Sequence, residues 1–127
     1  MAIGINTRTL PKAERLCGKK AIATLMEKGR WGSAGCLRYC WLPQEEQISR
    51  IMVSVPKKHF KRAVKRNLLK RRIREAYRLN KNLLGGAAVD ILFYYNSKEL
   101  CSFSEIEAAM TAALQELNSR ARQEQQH

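Results

Sequence analysis

Residues 56 to 78 read PKKHFKRAVKRNLLKRRIREAYR. Pro56 closes the segment before it, and residues 59 to about 80 form a helix. Leu69, Ile73, Ala76 and Tyr77 stand at i, i+4, i+7 and i+8, which gives one apolar stripe able to dock on a core. Asn67, Lys70, Arg71, Arg74 and Arg78 share helical spacing on a different face. From residue 57 to residue 81 there are 12 Lys and Arg against one acid, Glu75. The 127-residue chain holds 24 Lys+Arg and 11 Asp+Glu, a formal net charge of +13, so this segment carries +11 and everything else only +2. A near-neutral domain with one intensely basic element is the footprint of a localised polyanion site. A merely solvated charge run usually alternates in sign, and this one does not. A membrane-surface helix pairs its charge with a bulky exposed apolar face, whereas this stripe is modest and is needed for the core.

Outward from that helix, the N-terminal side offers two strands. ISRIMVSV (48–55) is rich in β-branched residues. GCLRYCWL (35–42) alternates, with Leu37, Tyr39 and Trp41 on one face and Cys36, Arg38 and Cys40 on the other. The polar loop PQEEQ (43–47) between them predicts an antiparallel hairpin. Earlier still, Pro11 suits a first helical turn with Thr9 as its cap, and Leu16, Ala21, Ile22, Leu25 and Met26 continue an amphipathic helix as far as Gly29. On the C-terminal side, Asn82 to Gly86 breaks the basic helix, and AAVDILFYY (87–95) is the near-continuous apolar run of an internal strand. Ser102-x-x-Glu105 and Ser104-x-x-Glu107 each fit a capping box for a last helix, with Ile106, Met110, Ala113, Leu114 and Leu117 as its stripe. The order α-β-β-α-β-α predicts an α+β fold, a single-domain α-β sandwich. Residues 1–10 are expected to be a flexible N-terminal tail, 11–118 the α+β domain that carries the polyanion site, and 119–127, SRARQEQQH, a flexible C-terminal tail.

Other function classes fall away on composition. The longest apolar run, Ala87 to Tyr95, is interrupted by Asp90 and is too short for a bilayer. MAIGINTRTLPK has no apolar segment before a cleavage site, which predicts a cytoplasmic location. Cys17, Cys36, Cys40 and Cys101 then read as free thiols, and with no CxxC and only His59 and His127 beside them no zinc site is expected. No phosphate-binding glycine loop, HExxH or EF-hand pattern occurs. Asp90, alone in an apolar strand, reads as a hydrogen-bonding residue rather than a catalytic one. No catalytic residue and no metal ligand is assigned to the protein.

Segment 56–78 resembles the signature helix of the protein subunit of bacterial ribonuclease P. Arg66-Asn67-Leu68 stands where that family has an Arg-Asn-Arg core, followed by Lys70-Arg71 and Ile73-Arg74-Glu75-Ala76, and Val55-Pro56-Lys57-Lys58 resembles the family's strand end and Lys-Lys turn. The likeness extends to Arg15–Gly29, to Val89–Phe93 and to the helix from Ser104, covering about residues 10 to 118. It implies the fold of the second domain of a small-subunit ribosomal protein, with a left-handed β-α-β crossover, an exception to the usual hand. It implies that a large RNA subunit with bound magnesium cleaves precursor tRNA to form the mature 5′ end, while the protein assists as an accessory component. The implied partners are the ribonuclease P RNA and the 5′ leader of precursor tRNA, not DNA and not a membrane. The implied RNA contacts are Lys57, Lys58, Lys61 and Arg62 at the start of the helix and Lys65, Arg66, Asn67, Lys70, Arg71, Arg74 and Arg78 along it. The implied leader cleft is lined by Ile22, Met26, Tyr39 and Trp41.

The chain departs from that pattern in places. Leu68 replaces an arginine, with Arg72 or Lys65 as neighbours able to compensate. Ile22 and Met26 stand where the family has two phenylalanines, so Tyr39 and Trp41 are the aromatic candidates, unless a one-residue slip brings Cys40 to that place. The competing reading is a non-catalytic structural RNA-binding protein, such as a ribosomal protein or an RNA chaperone. A DNA-binding helix ranks last, because such helices usually come in dimers and no dimerisation stripe is left over.

Overall fold

The computed structural model describes residues 14–44 and 48–125. The elements are α1 (Lys19–Lys28), β1 (Arg30–Ala34), β2 (Leu37–Pro43), β3 (Arg50–Ser54), α2 (Ala63–Asn80) with a 3-10 turn at Lys81–Leu84, β4 (Val89–Tyr95) and α3 (Phe103–Gln125). They form an α+β sandwich on a four-stranded sheet of order β1-β2-β4-β3. β2 pairs antiparallel with β1 and β4, and β3 pairs parallel with β4.

The predicted hairpin between residues 35–42 and 48–55 does not form. β4 lies between those strands, and the hairpin partner of β2 is β1. Gly35, at φ 54°, sits in the left-handed region and turns the chain back after Ala34, so it belongs to a turn rather than to the start of a strand. β3 instead joins β4 through α2, and parallel strands need a crossover of that kind.

Three helix boundaries also differ from expectation. Gly18, at φ 96°, delays α1 to Lys19, and the chain before it runs extended, with Leu16 N–H donating to Ile51 O at 2.8 Å. Thr9 and Pro11 lie outside the described residues. α2 begins at Ala63 rather than residue 59. α3 continues to Gln125, through most of the segment expected as a tail.

Alternation splits each strand between two cores. Leu37, Tyr39, Trp41, Ile51, Val53, Ile91, Phe93 and Tyr95 pack with Leu69, Ile73, Ala76 and Tyr77 of α2 and with Ile106, Met110, Ala113, Leu114 and Leu117 of α3. The opposite face is shallower: Cys40 and Leu92 meet Leu16 and Leu25, with Ile22, Leu42 and Met52 at the margin. On that face Asp90, 7% exposed, is held by Arg50 through Nε to Oδ1 at 2.9 Å and Nη2 to Oδ2 at 2.7 Å. The pair satisfies the buried carboxylate, which is the hydrogen-bonding role read for Asp90.

Candidate RNA interface

The apolar stripe of α2 fixes which way its charges point. With Leu69, Ile73, Ala76 and Tyr77 buried, Arg66, Lys70, Arg74, Asn67, Arg78 and Arg71 follow one another around the flank and outer side, about 100° per residue. Asn67 and Arg71 are exposed, and Lys70, Arg74 and Arg78 are half-buried. The first turn of α2 has no acidic residue and no side-chain cap, so the positive end of the helix adds to the lysines and arginines around it.

The turn that brings the chain into α2 is anchored from inside. Phe60 is buried edge-on against Tyr95, with ring centroids 5.7 Å apart. Arg66 Nη1 donates to Phe60 O at 2.7 Å and to Lys61 O at 2.8 Å. Arg66 therefore braces the turn that displays Lys57, Lys58, Lys61 and Arg62, all exposed. Arg78 is paired with Glu75 one turn earlier on the helix, which commits part of its guanidinium. Burial first, and then the neighbouring Arg15 charge, hold the Arg74 pKa below the usual arginine range. Arg15 and Arg74 line a cavity of about 380 Å³ with Leu16, Cys17, Ile51, Met52 and Val53.

Arg72, one of the two neighbours considered as compensation for Leu68, is partly engaged elsewhere. Its Nη1 donates to Cys101 O at 2.6 Å, on the side of α2 that faces the start of α3. Lys65 stays exposed.

The leader-cleft residues divide. Ile22 is half-buried and Met26 is 47% exposed on α1, beside the shallow core. Tyr39 and Trp41 are corrections: both are fully buried in the main core, because odd positions of β2 face α2 and α3. Cys40 takes the other face, and its thiol donates to Leu25 O at 3.4 Å. The aromatic residues on that face are ones the sequence reading missed: Trp31, opposite Cys40 on β1, and Tyr94, opposite Arg38 on β4. Their signal was parity, since each shares a face with Arg38 and Cys40 once the register is known. Among the described residues, no three of His, Cys, Asp and Glu group so as to hold a metal ion.

The ribonuclease P family model matches residues 10–118. The ribonuclease P protein component of Porphyromonas gingivalis strain W83 is 41% identical over 114 residues, covering 83% of each chain. That of Chlorobaculum tepidum is 42% identical over 84 residues, covering 61% of this chain and 54% of its own. The fold matches the RNase P protein from Thermotoga maritima with a TM-score of 0.72 at 22% identity, over 81% of this chain and 96% of the other. It matches the Staphylococcus aureus RNase P protein with a TM-score of 0.71 at 25% identity, over 81% and 94%. The match takes in the sheet, α1, the basic α2 and most of α3 together, and on it the chain belongs to the ribonuclease P protein family.

Proposed function

We propose that this chain binds the RNA subunit of ribonuclease P through the basic turn and outer side of α2, and holds the 5′ leader of precursor tRNA on the sheet face beside α1. The observation that carries the reading is the segregation of charge: +11 lies in residues 57–81, and the apolar stripe of α2 turns much of it to one side. Lys57, Lys58, Lys61, Arg62, Lys65 and Arg71 meet phosphates, and each phosphate neutralised releases counterion. Lys70, Arg74 and the free part of Arg78 extend the same surface. Asn67 offers an amide to a ribose hydroxyl, a base edge or a metal-bound water.

Magnesium belongs to the RNA side of this assembly. The basic side of α2 presents one amide oxygen, at Asn67, and no clustered carboxylates, a donor set that does not fit a hard cation needing several oxygens. The protein therefore acts by binding and orienting, and bond cleavage falls to the RNA. Among the described residues no helix is long and apolar enough to cross a membrane, and a cytoplasmic assembly is part of the same reading.

Reconstitution tests it. Purified protein is mixed with the host's ribonuclease P RNA and a 5′-extended precursor tRNA at near-physiological magnesium and salt. The expected result is protein-stimulated cleavage at the mature 5′ boundary, absent with protein alone, and affinity for the RNA that falls steeply with salt. Salt-sensitive RNA binding without any stimulation would instead favour a structural RNA-binding protein.

A further inference from the structure

The sheet face turned away from α2 and α3 is covered along only part of its length. Strand register sets out three rows on it: Leu42, Asp90 and Arg50; then Trp31, Cys40, Leu92 and Met52; then Ser33, Arg38, Tyr94 and Ser54. Leu25 of α1 packs over the middle of the second row. The third row is open, with Ser33 and Arg38 exposed and Tyr94 and Ser54 half-buried. Beside its β1 end, in the second row, Trp31 is 39% exposed and its indole carries the Arg38 guanidinium 4.9 Å from the ring centroid. At its other end the row stops at Ser54, three residues before Lys57.

We infer that Trp31 and Arg38 form a base-reading site for one guanine of the single-stranded leader. This rests on the leader-binding reading above and names the nucleotide contact within it. The Trp31 indole and the guanidinium lying on it present flat surfaces on which a base can stack, and only an unpaired base can reach them. Stacking on the indole also pre-orients the Arg38 fork, whose geometry matches the O6 and N7 acceptors of guanine and not the acceptor–donor edge of adenine. The aliphatic Ile22 and Met26 of α1 have no aromatic face to offer, so stacking on this side of the sheet falls to Trp31 and Tyr94. The charges agree with an RNA strand, because Arg38 stands one strand in from the β1 edge of the row and Lys57 and Lys58 follow its other end.

The test uses the reconstituted holoenzyme and compares affinity for precursor and mature tRNA, with leader positions made abasic one at a time. Trp31→Ala is expected to lower precursor affinity about tenfold and leave mature tRNA affinity unchanged, while Trp31→Phe keeps most of it. One abasic position should cost as much as Trp31→Ala, and the two losses should not add. At that position Arg38→Lys should abolish a preference for guanine over adenine. If Trp31→Ala binds precursor as wild type does, while wild type still discriminates precursor from mature tRNA, the base-reading site is wrong and leader binding stands. If wild type does not discriminate at all, the leader-binding reading fails and this inference with it. Equal losses on both substrates for Trp31→Ala and Trp31→Phe, with a lowered Tm, would make Trp31 a packing residue and overturn the inference.

Discussion

Arg66 and Arg71 belong to the same basic surface and do different work. Arg71 is exposed, whereas Arg66 spends one nitrogen on two backbone carbonyls of the turn before the helix. Arg71→Ala should weaken assembly with the ribonuclease P RNA by ~1–3 kcal/mol and leave Tm unchanged. Arg66→Ala should weaken assembly comparably and also cost about 1–2 kcal/mol of stability, because Phe60 O and Lys61 O lose their donor. Titration binding and thermal melts of the two variants check this; identical melts would make Arg66 a surface charge like Arg71. The sequence shows that both are basic and helical. It cannot show which one folds back on its own turn, since that depends on where Phe60 is pinned.

At the scale of elements, α3 begins with a closed capping box. Glu105 N–H donates to Ser102 Oγ at 3.2 Å, and the Ser102 N–H lies 3.4 Å from Glu105 Oε1. Ser102→Ala should therefore cost about 0.5–2 kcal/mol in denaturant unfolding, and Ser104→Ala, one turn position later, much less. Both boxes were legible beforehand and only one could be chosen, because a box needs three residues of helix geometry to be in place. The basic helix, β4 and the α3 stripe were readable because their periods run over many residues. β1 was not: five residues with one large apolar side chain, Trp31, carry almost no pattern. The parallel pairing of β3 with β4 was hidden for a different reason, since partners such as Ile51 and Ile91 stand far apart in sequence and no turn announces them. The wrong hairpin did not affect the face assignment of β2, where Leu37, Tyr39 and Trp41 do lie together; it misjudged which face is open.

For the molecule as a whole, the main core encloses several acidic hydroxyls and thiols. Burial, and then the neighbouring Glu116, push the Tyr39 pKa from 10.0 up to about 12, although its hydroxyl makes no well-formed hydrogen bond. Burial raises Tyr77 and Tyr95 in the same direction. Cys36 rises from 9.0 to about 12, through burial and then the adjacent Cys101. The folded state thus keeps protons that the unfolded chain has shed, and their contribution, complete below about pH 9, is lost as pH climbs toward 12. The urea midpoint should hold steady up to about pH 9 and fall increasingly steeply beyond pH 10, and Tyr39→Phe should flatten the upper part of that fall. A midpoint unchanged to pH 11.5 would contradict it. The outer edge of β3 has a consequence of another kind. The segment at Arg15 and Leu16 bridges Ile51, so a strand from another molecule finds the start of that edge already in use. The remaining edge, β1, is five residues long, starts with Arg30 and has Gly32 at its centre, a poor template for chain-to-chain sheet growth. A protein this rich in cations thus offers other chains little sheet edge on which to stack.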